Sequence, residues 1–163
     1  MPCKTVWTPK QQPRLSLPIP TSPSPTYSPS SPTYSPTHGN EISVPQECPT
    51  LEEAVERITH SSILDTIVLS EGTHVIGDNI AYMVISSPMK IIGHGLNNKI
   101  IVLCGFNIFC RSNVQGMVDI ENITIQNKKG CGVLGHSSFN LNNVFIEKCQ
   151  WAGVVADGSS TTG

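Results

Sequence analysis

Two consecutive segments of equal length decide the fold of this chain: residues 118–138, VDIENITIQNKKGCGVLGHSS, and residues 139–159, FNLNNVFIEKCQWAGVVADGS. They align without a gap from end to end, and the alignment places Asn122 over Asn143. A fixed period of about 20 residues is typical of a solenoid, in which each repeat packs only against its neighbours. Apolar residues meet apolar residues at positions that include, in the first segment, Val118, Ile120, Ile123, Ile125 and Val133.

The spacing inside each segment predicts three short strands and three corners. Residues 118–120 and 123–125 are apolar at alternate positions, as in half-buried strands. The two residues between them break this alternation, and Asn122 tolerates the left-handed backbone that a bend there needs. Residues 128–130 form a polar corner and residues 132–134 begin a third strand. Stacked coils of this kind predict a ladder of Asn122 on Asn143.

A helix is predicted before the strands. Thr50-Leu-Glu-Glu53 is a capping box, in which the threonine side chain accepts from the amide three residues on and Glu53 reaches back. The helix is expected to end near His60, which we interpret as a surface residue or a C-terminal cation. Its apolar face consists of Leu51, Ala54, Val55 and Ile58, spaced at helical intervals.

Strand patterns fill the rest of the Gly-containing part, at residues 66–69, 84–85, 90–92 and 99–103. The part from about Thr50 to Gly163 resembles the right-handed parallel β-helix, or pectin-lyase-like, superfamily. The resemblance rests on the helix, on the two coils, and on the segments Asp65–Thr73 and Lys90–Gly95, which follow that family's opening coils. It implies an all-β fold, a right-handed parallel β-helix (solenoid) with an N-terminal capping α-helix, and an extracellular or cell-surface location.

The N-terminal part differs from the rest of the chain in composition and in charge. Twelve of the 13 prolines lie at or before Pro49 and all 13 glycines lie at or after Gly39; residues 1–40 carry a charge of +3 and the rest −5. A Pro/Ser/Thr-rich segment with few aliphatic residues cannot bury enough surface to fold. We therefore expect residues 1–45 to be a disordered leader or linker and residues 46–163 to be the β-helix domain.

The leader contains a short repeat. Residues 27–37, YSPSSPTYSPT, resemble the heptad tail of the largest subunit of eukaryotic RNA polymerase II, which implies phosphorylation at Ser28 and Ser35. We interpret this likeness as incidental, because one and a half repeats are too few to form an array. Ser28 and Ser35 are equally candidates for O-glycosylation, which is common in such linkers.

Composition excludes several function classes. No apolar run approaches the ~18 residues of a membrane span, and residues 1–30 lack the apolar core of a signal peptide. No basic stripe points to nucleic acid. The six cysteines show no C-x-x-C spacing, so we expect small buried hydrophobic residues rather than disulfides or a metal site, and no cofactor.

The resemblance implies lyases and hydrolases as relatives, whose sites lie on the outside of one sheet. It implies paired acids for hydrolysis, or a calcium-binding carboxylate cluster with a basic residue for a lyase. The Asn-Thr-Asp and Asp-Asp motifs of the hydrolases are absent, Asp119 and Asp157 are predicted not to converge, and Arg111 lacks an acidic cluster. Gly93-His94-Gly95 matches a hydrolase tripeptide only superficially, because no acidic motif precedes it in the order of that family, and a tight turn after Ile92 explains it.

One pair of side chains remains as a candidate site. His136 and Asp157 occupy the same position in the two aligned segments, so adjacent coils place both on the outer face, beside an apolar row of Leu134 and Val155. Such a pair is either a weak acid/base or ligand site, or a surface ion pair of little energy. The sequon Asn122-Ile-Thr124 is expected to be unused, because its asparagine belongs to the ladder.

Three functions follow from these observations. The first is a non-catalytic β-helix module that binds glycan, or serves as a scaffold for another protein. The second is a fragment of a polysaccharide lyase or glycoside hydrolase acting on pectin-like acidic polysaccharide, with its catalytic coils beyond Gly163. The third is an adaptor that uses phosphorylated Ser-Pro heptads. Because the last segment supplies no cap, we expect the solenoid to be incomplete at its C-terminus.

Overall fold

The computed structural model describes residues 39–77, 79–110 and 116–157. They form thirteen short strands, one α-helix and one 3₁₀ turn, Asn97–Lys99. The helix α1 is Leu51–His60. The strands are β1 Glu41–Val44, β2 Thr66–Ser70, β3 Gly72–Val75, β4 Tyr82–Ile85, β5 Met89–His94, β6 Ile100–Leu103, β7 Gly105–Ile108, β8 Val118–Glu121, β9 Thr124–Gln126, β10 Val133–Gly135, β11 Phe139–Asn142, β12 Phe145–Glu147 and β13 Val154–Ala156.

The strands build three sheets, and every pairing is parallel. Sheet 1 has the order β1-β2-β5-β8-β11, sheet 2 has β3-β6-β9-β12, and sheet 3 has β4-β7-β10-β13. From β2 onward the chain visits sheets 1, 2 and 3 in turn, which makes four coils of three strands each. We call β2–β4 coil 1, β5–β7 coil 2, β8–β10 coil 3 and β11–β13 coil 4. The fold is mostly β and has the strand order of a parallel solenoid.

The register of coils 3 and 4 agrees with the gapless alignment of their sequences. Phe139 pairs with Val118, Ile146 with Ile125, and Val154 with Val133. The offset is longer between coils 2 and 3, where Val118 pairs with Met89. The interior is a single core of mainly aliphatic residues, in which Ile91, Ile120 and Ile125 have no exposed surface.

The helix forms as its pattern predicts. Thr50 caps it, because its hydroxyl accepts from the amide of Glu53 at 3.2 Å. The carboxylate of Glu53 does not complete the expected capping box; it pairs with Arg57 one turn further on, at 2.5 Å. The four apolar residues of the face, Leu51, Ala54, Val55 and Ile58, are all buried, and α1 packs against β1 and β2.

The folded part begins earlier than residue 46. Residues 41–44 form β1, which pairs in parallel with β2 along its whole length. The side chains of Ile42 and Val44 are buried in the core. A strand of four residues followed by Pro45 gives a weak sequence signal, so sequence patterns alone place the start of the domain too late.

Candidate functional site

The pair predicted from the repeat lies on the outer face of sheet 3. His136 follows β10 and Asp157 follows β13, and the amide of Asp157 donates to the carbonyl of Gly135 at 2.9 Å, so the ladder continues to this point. His136 Nδ1 lies 3.9 Å from Asp157 Oδ2, with 40% and 77% of the side chains exposed. The separation permits an ion pair when the imidazole is protonated, of the weak kind found on surfaces.

Phe109 extends this row by one coil. Its amide donates to Ile85 and the amide of His136 donates to Ile108, so Phe109, His136 and Asp157 succeed one another across coils 2, 3 and 4. The Phe109 ring meets the His136 ring edge to face, with centroids 6.1 Å apart and planes at 71°, and 59% of Phe109 is exposed. Sequence reasoning missed Phe109, because β7 begins with glycine and its coil does not share the period of coils 3 and 4.

The neighbouring outer row is largely apolar. Val84, Asn107, Leu134 and Val155 occupy equivalent positions in the four strands of sheet 3. The apolar character expected from Leu134 and Val155 thus extends to coil 1 and is interrupted only at Asn107. The Oδ1 atom of Asn107 is buried, and it has no hydrogen-bond partner in the part of the chain that the structure describes. A buried acceptor without a donor costs free energy.

The remaining candidates do not join this face. Asp119 lies in β8 of sheet 1, so it does not converge with Asp157. His94 is the last residue of β5, also in sheet 1, and is exposed. Arg111, Ser28 and Ser35 lie outside the described residues.

The expectation of a tight turn at Gly93-His94-Gly95 is wrong. The segment is not a tight turn after Ile92, because β5 continues through His94 and only Gly95 has a positive φ, 139°. Gly93 is needed for a different reason: a Cβ atom there would clash with the carbonyl oxygen of Asn122 in the next coil.

The two asparagines form the corner between sheets 1 and 2. Asn122 and Asn143 both have left-handed backbones, with φ of 58° and 51°. Asn143 Nδ2 donates to Asn122 Oδ1 at 2.8 Å, and Asn122 Nδ2 donates to the carbonyls of Gly93 and Gly95 at 2.8 and 2.7 Å. The sequon is therefore engaged within the fold, since Thr124 Oγ1 also donates to the carbonyl of Asn97.

The described cysteines are free thiols. Cys48, Cys104 and Cys131 are buried, while Cys110 and Cys149 are partly exposed. Burial raises the pKa of Cys104 to about 12 and raises the pKa of Cys48 and Cys110 as well. Within residues 39–77, 79–110 and 116–157, no three His, Cys, Asp or Glu side chains are grouped so that they could hold a metal ion.

Comparison with known proteins adds no relative: no protein-family model, no curated protein and no solved structure matches the chain. Among the residues that the structure describes, no helix is both long and apolar enough to cross a membrane.

Proposed function

We propose that this chain is a non-catalytic module that binds an extended glycan along the outer face of sheet 3. The observation that carries the proposal is the row of Phe109, His136 and Asp157, which offers one side chain per coil on successive strands. An exposed aromatic ring packs against the apolar face of a sugar, and the polar tips beside it bind hydroxyl groups. Repetition of coils at ~4.8 Å suits a polymer rather than a small compact ligand.

The architecture that supports this function is, in our proposal, a right-handed parallel β-helix whose first end is covered by α1. The parallel sheets, the visiting order of the strands and the burial of the helix face against β1 and β2 favour it. The resemblance to the pectin-lyase-like superfamily, carried most clearly by coils 3 and 4, points to a polysaccharide as the ligand.

The test is a binding titration of the full chain with polygalacturonate and with a neutral glucan, followed by calorimetry. We expect saturable binding of one polymer, and Phe109→Ala should weaken it about fivefold by removing the aromatic platform. Phe145→Ala is the matched control, because Phe145 is equally exposed (58% against 59%) but lies in sheet 2. The proposal fails if neither polymer binds, or if the two variants weaken binding equally.

The alternative is a lyase or hydrolase, and the proximity of His136 to Asp157 favours it, since such a pair can exchange a proton with substrate. Incubation with polygalacturonate, with and without calcium, separates the two functions. A rise in the absorbance of unsaturated product, or release of reducing ends, that is lost in His136→Ala would support the enzyme. The adaptor hypothesis rests on Ser28 and Ser35, outside the described residues, and phosphorylation at those serines detected by mass spectrometry would favour it.

A further inference from the structure

A cleft of about 350 Å³ opens on the outer face of sheet 2, beside the asparagine corner. Ile101, Thr124 and Phe145 occupy equivalent outward positions in coils 2, 3 and 4 of this sheet. Thr124 is the smallest of the three and is buried, so a hollow is left above it between the two larger side chains. The cleft is lined by residues 96–98, 101, 124, 145 and 147, all of which the structure describes.

The connection from β5 to β6 forms another side of the cleft. It runs through Leu96 and the 3₁₀ turn Asn97–Lys99, and it reaches across coil 3 to coil 4, where Asn97 Nδ2 donates to Asn143 Oδ1 at 3.0 Å. Thr124 Oγ1 donates to the carbonyl of Asn97 at 3.0 Å, which ties the connection to the floor as well. The cleft is therefore preformed by bonds to two coils, and a ligand does not have to order this side on binding.

The sides of the cleft are apolar and stand one ring apart. Leu96 and Phe145 expose 59% and 58% of their surface, and Ile101 is partly exposed. Ile101 and Phe145 are two coils apart, which is about 10 Å at ~4.8 Å per coil. A flat ring in contact with both at about 3.5–4 Å needs about 7–8 Å, so the space accepts one layer of ligand atoms and not two.

The charged groups around the cleft are already paired. The carboxylate of Glu147 accepts from Gln126 at 2.8 Å and lies 3.2 Å from the Nζ atom of Lys148. Lys99, at the end of the 3₁₀ turn, pairs with Glu71 at 3.5 Å. An ionised ligand would lose its hydration here without meeting an unpaired charge of opposite sign, so the cleft favours a neutral ligand.

The mouth of the cleft offers an amide. Asn98 is exposed there and makes no hydrogen bond with another described residue, and an amide can both donate to and accept from a hydroxyl group. We infer that this cleft binds a small neutral phenol, with its ring between Ile101 and Phe145 and its hydroxyl at Asn98. An aromatic ring is favoured over a saturated one, because it stacks on Phe145 and attracts it beyond the burial of area. This inference does not depend on glycan binding at sheet 3.

The probe is 4-methylphenol, titrated into the full chain while the methyl resonances of Leu96 and Ile101 are followed by NMR. We expect saturable ring-current shifts, and Phe145→Ala should weaken binding about fivefold by removing one side of the cleft. Phe109→Ala is the matched control, because Phe109 is equally exposed but follows β7 in sheet 3. The two phenylalanines exchange roles between this titration and the polymer titration, so one proposal can fail while the other holds.

Asn98→Ala separates the hydroxyl from the ring. It should weaken binding of 4-methylphenol about fivefold and leave the weaker binding of toluene, which has no hydroxyl, unchanged. Asn140→Ala is the matched control, because Asn140 is an exposed asparagine of sheet 1. 4-Methylcyclohexanol, which carries the hydroxyl on a saturated ring, and 4-methylbenzoate, which is ionised, should both bind more weakly than 4-methylphenol.

Thermal unfolding of each variant checks that the fold persists, and the comparison of ligands on the wild type does not depend on any variant. The inference is overturned if 4-methylphenol gives no saturable shifts, or if toluene, 4-methylcyclohexanol or 4-methylbenzoate binds as tightly. It is equally overturned if Phe109→Ala weakens binding as much as Phe145→Ala does, or Asn140→Ala as much as Asn98→Ala.

Discussion

Coils 3 and 4 have the same pattern of residues and the same strand register, yet they differ in burial. Their strands keep one register, and both turn from sheet 1 to sheet 2 through a left-handed asparagine. In coil 3 the inward residues have no exposed surface, as at Ile120 and Val133. In coil 4 the equivalent Leu141 is only partly buried and Val154 is 44% exposed. Among the described residues, coil 3 has a neighbour on each side and coil 4 on one.

This difference separates two contributions to stability that the shared sequence pattern does not distinguish: the local conformation of a coil and its burial by neighbouring coils. The alternation of apolar residues and the asparagine corner set the local conformation of each coil. Burial, and with it most of the hydrophobic free energy, comes from the coil stacked above or below. The same substitution should therefore have a large effect in coil 3 and a small one in coil 4.

The largest contrast is expected for the inward residues of sheet 1. Ile120→Ala leaves a cavity between two coils and should lower the free energy of unfolding by about 3–4 kcal/mol. Leu141→Ala, at the paired position, removes surface that is already partly solvated and should cost about 1 kcal/mol. Urea unfolding of the two variants beside the wild type measures both values. Equal losses would show that coil 4 is covered in solution as coil 3 is.

The corner asparagines should give a smaller contrast. Asn122→Ala places alanine, which has no polar side chain to stabilise a left-handed backbone, at a φ of 58°. It also leaves the carbonyls of Gly93 and Gly95 without their donor, so the free energy of unfolding should fall by about 2–3 kcal/mol. Asn143→Ala meets the same left-handed strain, at a φ of 51°, but its lost bonds with Asn122 and Asn97 lie in a more exposed setting, so it should cost less, about 1–2 kcal/mol.

Glycine at the same positions divides this cost into backbone and side-chain parts. Asn122→Gly relieves the left-handed strain but still lacks the amide, so it should recover about 1 kcal/mol relative to Asn122→Ala. Chemical denaturation measures the difference. If glycine and alanine are equally destabilising at residue 122, left-handed strain contributes nothing and the lost hydrogen bonds account for the whole cost.

How much the sequence predicts depends on how regular each coil is. The constant offset between the last two coils places Val133 over Val154 and His136 beside Asp157, because the two segments repeat without a gap. The capping residue and the helical periodicity predict α1, because these patterns are local. Coil 2 breaks the period, since its connection from β5 to β6 is longer than the one from β8 to β9 in coil 3. Its strand β7, with Asn107 and the adjoining Phe109 beside the candidate site, therefore could not be aligned.

One equivalent position shows how the tolerance for charge changes along the solenoid. The residue that follows the sheet 2 strand is Cys104 in coil 2, Asn127 in coil 3 and Lys148 in coil 4. Cys104 and Asn127 are buried, whereas Lys148 is exposed and pairs with Glu147 at 3.2 Å. Lys148 also has a left-handed backbone, with a φ of 53°, which Cys104 and Asn127 do not share. Ionisation of Cys104 tests how strongly the interior of coil 2 disfavours a charge.

A dependence of stability on alkaline pH is also expected, and it arises at Cys104. A thiol with a pKa of 9.0 in the unfolded chain and about 12 in the folded protein releases its proton between these values only on unfolding. The free energy of unfolding should therefore be unaffected by this group below pH 9 and fall above it, by at most about 1.4 kcal/mol per pH unit. Urea unfolding between about pH 8 and pH 11 measures the slope, and Cys104→Ala should show a shallower one after its constant cavity cost is subtracted. Parallel slopes for the wild type and Cys104→Ala would mean that water reaches this thiol in the folded solenoid. The interior of coil 2 would then be as hydrated as that of coil 4.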